Sequence, residues 1–197
     1  MRMTGLEKLL INRRKKAERN VQKLRLRLGG LDAHDMHDAL KVGCGIGVAS
    51  AFLAGSYGMR VEGTDFDPEQ IQAAQAMNQE SDLLRFSVAD AARLDFEDSS
   101  FDLVVSQNVF HHVPNWTAAA GEVSRVLRPN GYLIWYDLTF PRWVVTVFRP
   151  LLGNYGLYTF EQVRAAFAKH ALEPLVEERV AHGPFGHYEM VFRKRSG

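Results

Sequence analysis

The 197-residue sequence predicts an α/β fold: a doubly wound sheet of seven strands, mostly parallel, with a C-terminal antiparallel hairpin and a basic N-terminal helix. Three observations predict it. From residue 38 onward, short apolar runs alternate with helix-forming stretches, as parallel βαβ units require. The first run, Ala39-Leu40-Lys41-Val42, stops at Gly43-x-Gly45-x-Gly47. That is how a parallel strand turns tightly into a helix whose free N–H groups face a ligand. The last two strands are separated only by Ala181-His182-Gly183-Pro184-Phe185-Gly186, too short for a helical crossover, so they pair antiparallel.

The elements follow in order. Leu6, Leu10, Ala17, Val21, Leu24 and Leu28 fall at helical spacing, and Gly29-Gly30 ends that helix. Residues 38–42 form the first strand and 47–56 the first helix of the sheet. Residues 60–65 form the second strand. Asp67-Pro68-Glu69-Gln70 then carries an Asp N-cap, a proline at the first helical position and a Gln three residues after the cap, opening a helix to residue 78. Residues 84–88 and 101–106 are the third and fourth strands; the fourth is nearly all apolar, as a strand covered on both faces should be. Residues 116–127 read as a helix ended by Pro129-Asn130-Gly131, and 131–137 as the fifth strand. Thr159-x-x-Gln162 is a capping box opening a helix to residue 170, and the hairpin strands span 172–180 and 187–193. The chain divides into the helix at 1–30 and one domain at 31–197, with an apolar insertion at about 139–158.

Composition is that of a globular protein, 46% hydrophobic and 24% charged. One cysteine excludes a disulfide framework and a Cys-cluster metal site, so no metal is expected. Cys44, near a helix N-terminus, reads either as a thiol with lowered pKa or as a small residue filling the turn. Neither a signal-peptide pattern nor an apolar run of roughly 20 residues occurs, which points to the cytoplasm. Net charge is +1, but residues 1–28 hold ten Lys/Arg against two Glu (+8), leaving 14 basic and 21 acidic residues (−7) for the rest. Such an arm suits nucleic acid or an anionic membrane. Its apolar stripe favours a helix docked on the body.

Three positions converge on a ligand. The glycines let a ligand approach the backbone without meeting a Cβ. Asp65 ends the second strand, eighteen residues after Gly47, where a carboxylate can accept both hydroxyls of a ribose. Asp90, with the Ala91 N–H, follows the third strand, placed to read an adenine edge. The last position of a dinucleotide fingerprint is Val48 here, and no Gly-Lys-Ser/Thr triplet of a P-loop occurs. The ligand suggested is an adenosine without a pyrophosphate.

Leu40-Lys41-Val42-Gly43-Cys44-Gly45-Ile46-Gly47, Gly63-Thr64-Asp65-Phe66-Asp67-Pro68, Asp90-Ala91, Phe101-Asp102-Leu103-Val104-Val105-Ser106, His111-His112-Val113 and Arg125-Val126-Leu127-Arg128-Pro129-Asn130-Gly131 occur in this order. With them the chain resembles the Rossmann-like class I S-adenosylmethionine-dependent methyltransferases, closest to the small-molecule branch with quinone-biosynthesis enzymes. The resemblance covers residues 37–138 and implies a set of roles. Gly43, Gly45 and Gly47 would line the methionine moiety and sugar of S-adenosylmethionine, with S-adenosylhomocysteine as product. Asp65 would hold the ribose, Phe66 would lie against the adenine, and Asp90 and Ala91 would read its edge. Ser106 and Gln107 would sit by the amino-acid end.

Lys41 stands where the family usually has Asp. A buried ammonium there reverses a charge beside the sulfonium and predicts weakened cofactor binding, unless its stem carries the head to solvent or to Asp38 or Asp65.

His111 and His112 are the candidate bases if the acceptor must lose a proton, with Tyr136 and Asp137 also near the acceptor. The apolar and aromatic 139–158 segment would cover the pocket or carry an apolar acceptor, possible at a membrane surface. The expected activity is methyl transfer to a small, apolar acceptor. The alternatives are a non-catalytic methyltransferase-like binding protein and an RNA methyltransferase guided by the basic helix; no Asn/Asp-Pro-Pro-Tyr motif supports the latter, since Asp137-Leu138-Thr139-Phe140 stands in its place.

Overall fold

The parallel strands of a single sheet deliver their C-terminal ends to one edge, and that edge carries the site. The structure, a computed structural model, describes residues 5–181 and 185–196. The strands are β1 (Asp38–Val42), β2 (Arg60–Asp65), β3 (Leu84–Val88), β4 (Phe101–Gln107), β5 (Leu127–Thr139), β6 (Leu172–Ala181) and β7 (Gly186–Lys194). Their order is β3-β2-β1-β4-β5-β7-β6. The first five run parallel, while β7 pairs antiparallel with both β5 and β6. The chain order reverses between β1 and β4, the switch point where open α/β sheets bind ligands.

The helices are α1 (Gly5–Leu28), α2 (Val48–Tyr57), α3 (Pro68–Met77), α4 (Trp116–Val126), α5 (Arg142–Phe148) and α6 (Phe160–Lys169). Because strand side chains alternate between faces, each strand feeds two cores. Leu40, Val104 and Trp135 join Trp116, Val123 and Phe167 from α4 and α6. Ala39, Leu103 and Ile134 join Leu24, Leu53 and Ile71 from α1, α2 and α3.

The N-terminal helix is docked. Val21, Leu24 and Leu28 are buried against the sheet side that α2 covers, each worth roughly 1.5–3 kcal/mol. Gly29 N donates to Arg25 O (3.0 Å), closing the helix at the paired glycines. Lys23 and Arg27 meet Glu189 of β7, and Arg27 also reaches Glu178 of β6. Leu6 and Leu10 of the stripe, and the hairpin turn at 182–184, lie outside the described side chains and residues.

Two local readings are corrected. β5 begins at Leu127, not at residue 131: Leu127 pairs with Phe101, and the ladder shifts register before Tyr132 joins Leu103. Pro129-Asn130-Gly131 is therefore an irregularity inside the strand, with Asn130 at φ 66°, rather than a turn before it. At α3, Asp67 caps Glu69 N as expected (2.9 Å), but Gln70 does not close a capping box. The Asp67 N–H that it would have reached donates instead to Asp65 (3.1 Å). The box at α6 forms in both directions, Gln162 N to Thr159 and Thr159 N to Gln162.

Candidate active site

A cleft of about 1010 Å³ opens at the C-terminal ends of β1, β2, β3 and β4. Its floor is the glycine turn. Gly43, Gly45 and Gly47 all have positive φ (62°, 54° and 81°), which a side chain adopts only with strain. They differ in what surrounds them. A Cβ on Gly45 would stand in the cleft, its nearest neighbour Gln70 Oε1 at 3.8 Å, whereas one on Gly43 would strike Val109 Cγ2 at 2.3 Å. Gly47 is not part of the cleft wall: a Cβ there would meet Asn78 and Phe86 at 2.6–2.9 Å. What the structure shows for it is close packing of the turn.

Asp65 ends β2 at the cleft. Its Oδ2 accepts from Gly45 N (2.9 Å) and its Oδ1 from Asp67 N (3.1 Å), so both oxygens are oriented and each keeps acceptor capacity. Phe66, 74% exposed, lies on the cleft wall beside it. Asp90, Ala91 and Ala89 line the cleft beyond β3, with Asp90 Oδ1 accepting from Ala92 N at 2.8 Å.

Beyond β4, Gln107 lines the cleft and donates from Nε2 to Asn20 O of α1 (3.0 Å), leaving its Oε1 buried without a partner. Ser106 does not line the cleft. It alternates to the other side of the strand, fully buried, so the contact expected of it is absent. Asn108 does line it, at φ 58° and with a buried unpartnered Nδ2.

Lys41 points neither to solvent nor to a carboxylate. It is 3% exposed between Gly63 of β2 and Val105 of β4, and its Nζ donates to Val42 O (2.8 Å) and Gly43 O (3.1 Å). Asp38 is at the far end of β1, engaged by Arg60 and Arg128. Burial pulls the Lys41 ammonium down to about 8, against the raising influence of Cys44, Asp65 and Asp137. The cation is thus spent on the backbone of the glycine turn behind the cleft. Cys44 is buried too, and burial pushes its thiol up to about 12, so the lowered pKa considered for it does not arise.

The two histidines separate. His112 lines the cleft, and burial, followed by the neighbouring His111, pulls its pKa below the ordinary histidine value. His111 is not on the cleft wall. Its Nδ1 meets Asp137 Oδ1, and its ring lies 3.9 Å from that of His112. Asp137, fully buried two residues before the end of β5, also accepts from Val109 N (2.9 Å), Phe110 N (2.7 Å) and Leu138 N (2.7 Å). It fixes the histidine loop rather than facing an acceptor.

Several wall residues were not singled out in the sequence. Lys16, Ala17 and Asn20 of α1 form one wall and Asn154 of the 139–158 segment touches the rim. Ala17 heads the stripe that continues through Val21, Leu24 and Leu28, so the stripe located the helix but not the cleft it borders. Gln70 was read as a cap, and it faces the ligand space instead. No group of His, Cys, Asp and Glu among the described residues could hold a metal, and no helix among them is long and apolar enough to cross a membrane.

Residues 40–135 match the family model described as a methyltransferase domain. The 2-methyl-6-phytyl-1,4-hydroquinone methyltransferase of Synechocystis sp. is 34% identical over 163 residues, covering 77% of this chain and 51% of that protein. The demethylmenaquinone methyltransferase of Staphylococcus aureus is 32% identical over 134 residues, covering 66% of this chain and 54% of that protein. A solved structure described as a putative sarcosine dimethylglycine methyltransferase from Galdieria sulphuraria superposes with a TM-score of 0.78 at 19% identity, over 92% of this chain and 88% of that one. The matched stretch is a methyltransferase domain, and the chain shares its fold with that solved structure. It spans about half the length of the curated relatives it matches.

Proposed function

We propose that this protein binds S-adenosylmethionine in the β1–β4 cleft and transfers its methyl group to a small, largely apolar acceptor. The observation that carries the reading is Asp65, clamped by two backbone N–H groups with acceptor capacity left over, at the head of a cleft whose next strand end presents Asp90. The residues present fit the group: two acceptor carboxylates, the open space above Gly45 that a Cβ would fill, and the orphaned amide atoms of Gln107 and Asn108. When bound, the cofactor supplies an activated methyl group for direct displacement.

What the chain does is bind and align. Asp65 would hold the ribose hydroxyls and Asp90 the adenine edge. Gln107 and Asn108 would offer their free amide atoms to the amino-acid end. For a hydroxyl acceptor, His112 is the group placed to take the proton: it lines the cleft, and its lowered pKa leaves it neutral at pH 7. His111, tied to Asp137, positions it through the contact of their tilted rings. The quinol methyltransferases to which the chain is similar support an apolar acceptor carrying a ring hydroxyl or ring carbon.

Calorimetry with S-adenosylhomocysteine tests the cofactor half. Binding that weakens about 10–100-fold in Asp65→Ala is expected, the loss of charge-assisted hydrogen bonds worth roughly 1.5–3 kcal/mol. No binding to the wild-type protein would overturn the reading. Transfer of labelled methyl to prenylated hydroquinones, lost in His112→Asn with S-adenosylhomocysteine affinity unchanged, tests the acceptor half.

Lys41 supports a second reading, a methyltransferase-like binding protein without turnover. Its buried charge opposes the sulfonium but not the neutral product, so wild-type protein would favour S-adenosylhomocysteine over S-adenosylmethionine more than Lys41→Asp does. Equal discrimination by the two proteins would remove this reading.

A further inference from the structure

The segment between β5 and α6 is apolar on both of its sides. Val144 and Val145 of α5 are buried, enough to seat a helix of seven residues. The opposite side leaves Trp143 63%, Val147 56%, Phe148 38% and Leu151 75% exposed. The Trp143 and Phe148 rings meet edge-on at 6.5 Å, so these side chains form one patch rather than scattered exceptions. A short helix apolar all round has a second partner to cover it.

The charge lining the cavity beside the patch is basic. Arg142 and Arg149 line a separate cavity of about 420 Å³ with Thr146, Thr159 and Gln162. Neither guanidinium forms an ion pair with a described residue, although Glu161 is near enough to feel Arg142. A second copy of the chain is a poor cover, because a two-fold contact sets the same patch against itself and brings these arginines together. An anionic lipid surface matches both halves: tryptophan and branched aliphatics enter the boundary between headgroups and chains, and arginines meet phosphates.

We propose that α5 and the residues after it dock this protein on bilayers containing anionic lipid, with Trp143, Val147 and Leu151 inserted and Arg142 and Arg149 on lipid phosphates. The docking face is continuous with the cleft. Asn154 borders it, and the half-exposed Tyr155 ring lies 6.4 Å from that of His112. A lipophilic acceptor leaving the bilayer would therefore enter beside the proposed base. The surface argument stands on the patch and the arginines alone, without the methyl-transfer reading.

Co-sedimentation with vesicles of phosphatidylcholine, with and without phosphatidylglycerol, tests it. The expected result is binding to the mixed vesicles and a blue shift of tryptophan emission, since Trp116 and Trp135 are already buried and only Trp143 can change its surroundings. Arg142→Gln with Arg149→Gln should weaken binding on the order of 30-fold, taking about 1 kcal/mol per surface-bound arginine. Trp143→Ser with Leu151→Ser should abolish both signals, while thermal midpoint and S-adenosylhomocysteine binding stay as in wild type. No binding to the mixed vesicles overturns the proposal. So does binding unchanged by Trp143→Ser with Leu151→Ser, or a concentration-dependent dimer that this variant dissolves. Vesicle binding by a protein that fails to bind S-adenosylhomocysteine would leave the docking intact and defeat only the methyl-transfer reading.

Discussion

Asp65 ends β2 and Asp137 lies two residues before the end of β5, and both collect backbone N–H groups, yet they are put to opposite uses. Asp65 accepts one N–H on each oxygen and keeps its outer edge open to the cleft. Asp137 is fully buried and saturated: Val109 N and Phe110 N on one oxygen, Leu138 N and His111 on the other. The first carboxylate keeps acceptor capacity facing the cleft; the second is consumed in fixing the loop that presents His112.

Substitution should separate the two roles. Asp137→Ala leaves buried N–H groups of Val109 and Phe110 unpaired, each costing about 1–3 kcal/mol, and should destabilise the protein by about 3–5 kcal/mol in urea unfolding. Asp65→Ala, so damaging to ligand affinity, should cost less than about 1 kcal/mol of stability, as expected of a partly exposed site. Equal losses in the two variants would erase the distinction.

The glycine turn offers a finer version of the same contrast. Gly47→Ala forces a Cβ against Phe86 and Asn78 and should cost about 2–3 kcal/mol of stability. Gly45→Ala has space and should cost only about 1 kcal/mol of backbone strain, while obstructing S-adenosylhomocysteine in calorimetry.

The smallest effect expected is at Lys41. Its ammonium is depressed from 10.5 to about 8 on folding, so the unfolded chain binds more protons between those values and stability rises with pH across that window. Below pH 8 the buried charge is a standing penalty. Lys41→Met should lose the rise and gain about 1 kcal/mol at pH 7, once the two lost bonds to Val42 O and Gly43 O are set against the relieved burial. Unfolding titrations at pH 7 and pH 10 would reveal an unchanged slope if the ammonium were not the group involved.

What was legible in the sequence follows the same division. The strands β1, β2 and β3 are legible to the residue because periodicity and turn chemistry are local; of the positions the resemblance implies, Gly43, Gly45, Asp65, Phe66, Asp90, Ala91 and Gln107 line the cleft. Ser106 failed for a local reason too: one residue along a strand reverses the face, and the reading did not fix the register. The separation of His111 from His112 depends on Asp137, 26 residues further along the chain, which no spacing rule connects to them. The early start of β5 depended on Phe101 pairing with Leu127, and propensity alone read Pro129-Asn130-Gly131 as a stop. Lys41 stands out by its identity, but the turn of its head to Val42 O and Gly43 O is set by the fold of the glycine turn.

The bond from Gln107 to the Asn20 carbonyl has a practical consequence. A boundary drawn at residue 30, the natural place to trim a basic arm before crystallisation or fusion to a tag, would cut away Lys16, Ala17 and Asn20 and with them one side of the binding chamber. A shortened protein would lose the buried Val21, Leu24 and Leu28 together with that wall of the cleft. Hydrogen exchange along residues 15–28 would then report on the cleft, because α1 is also one of its walls.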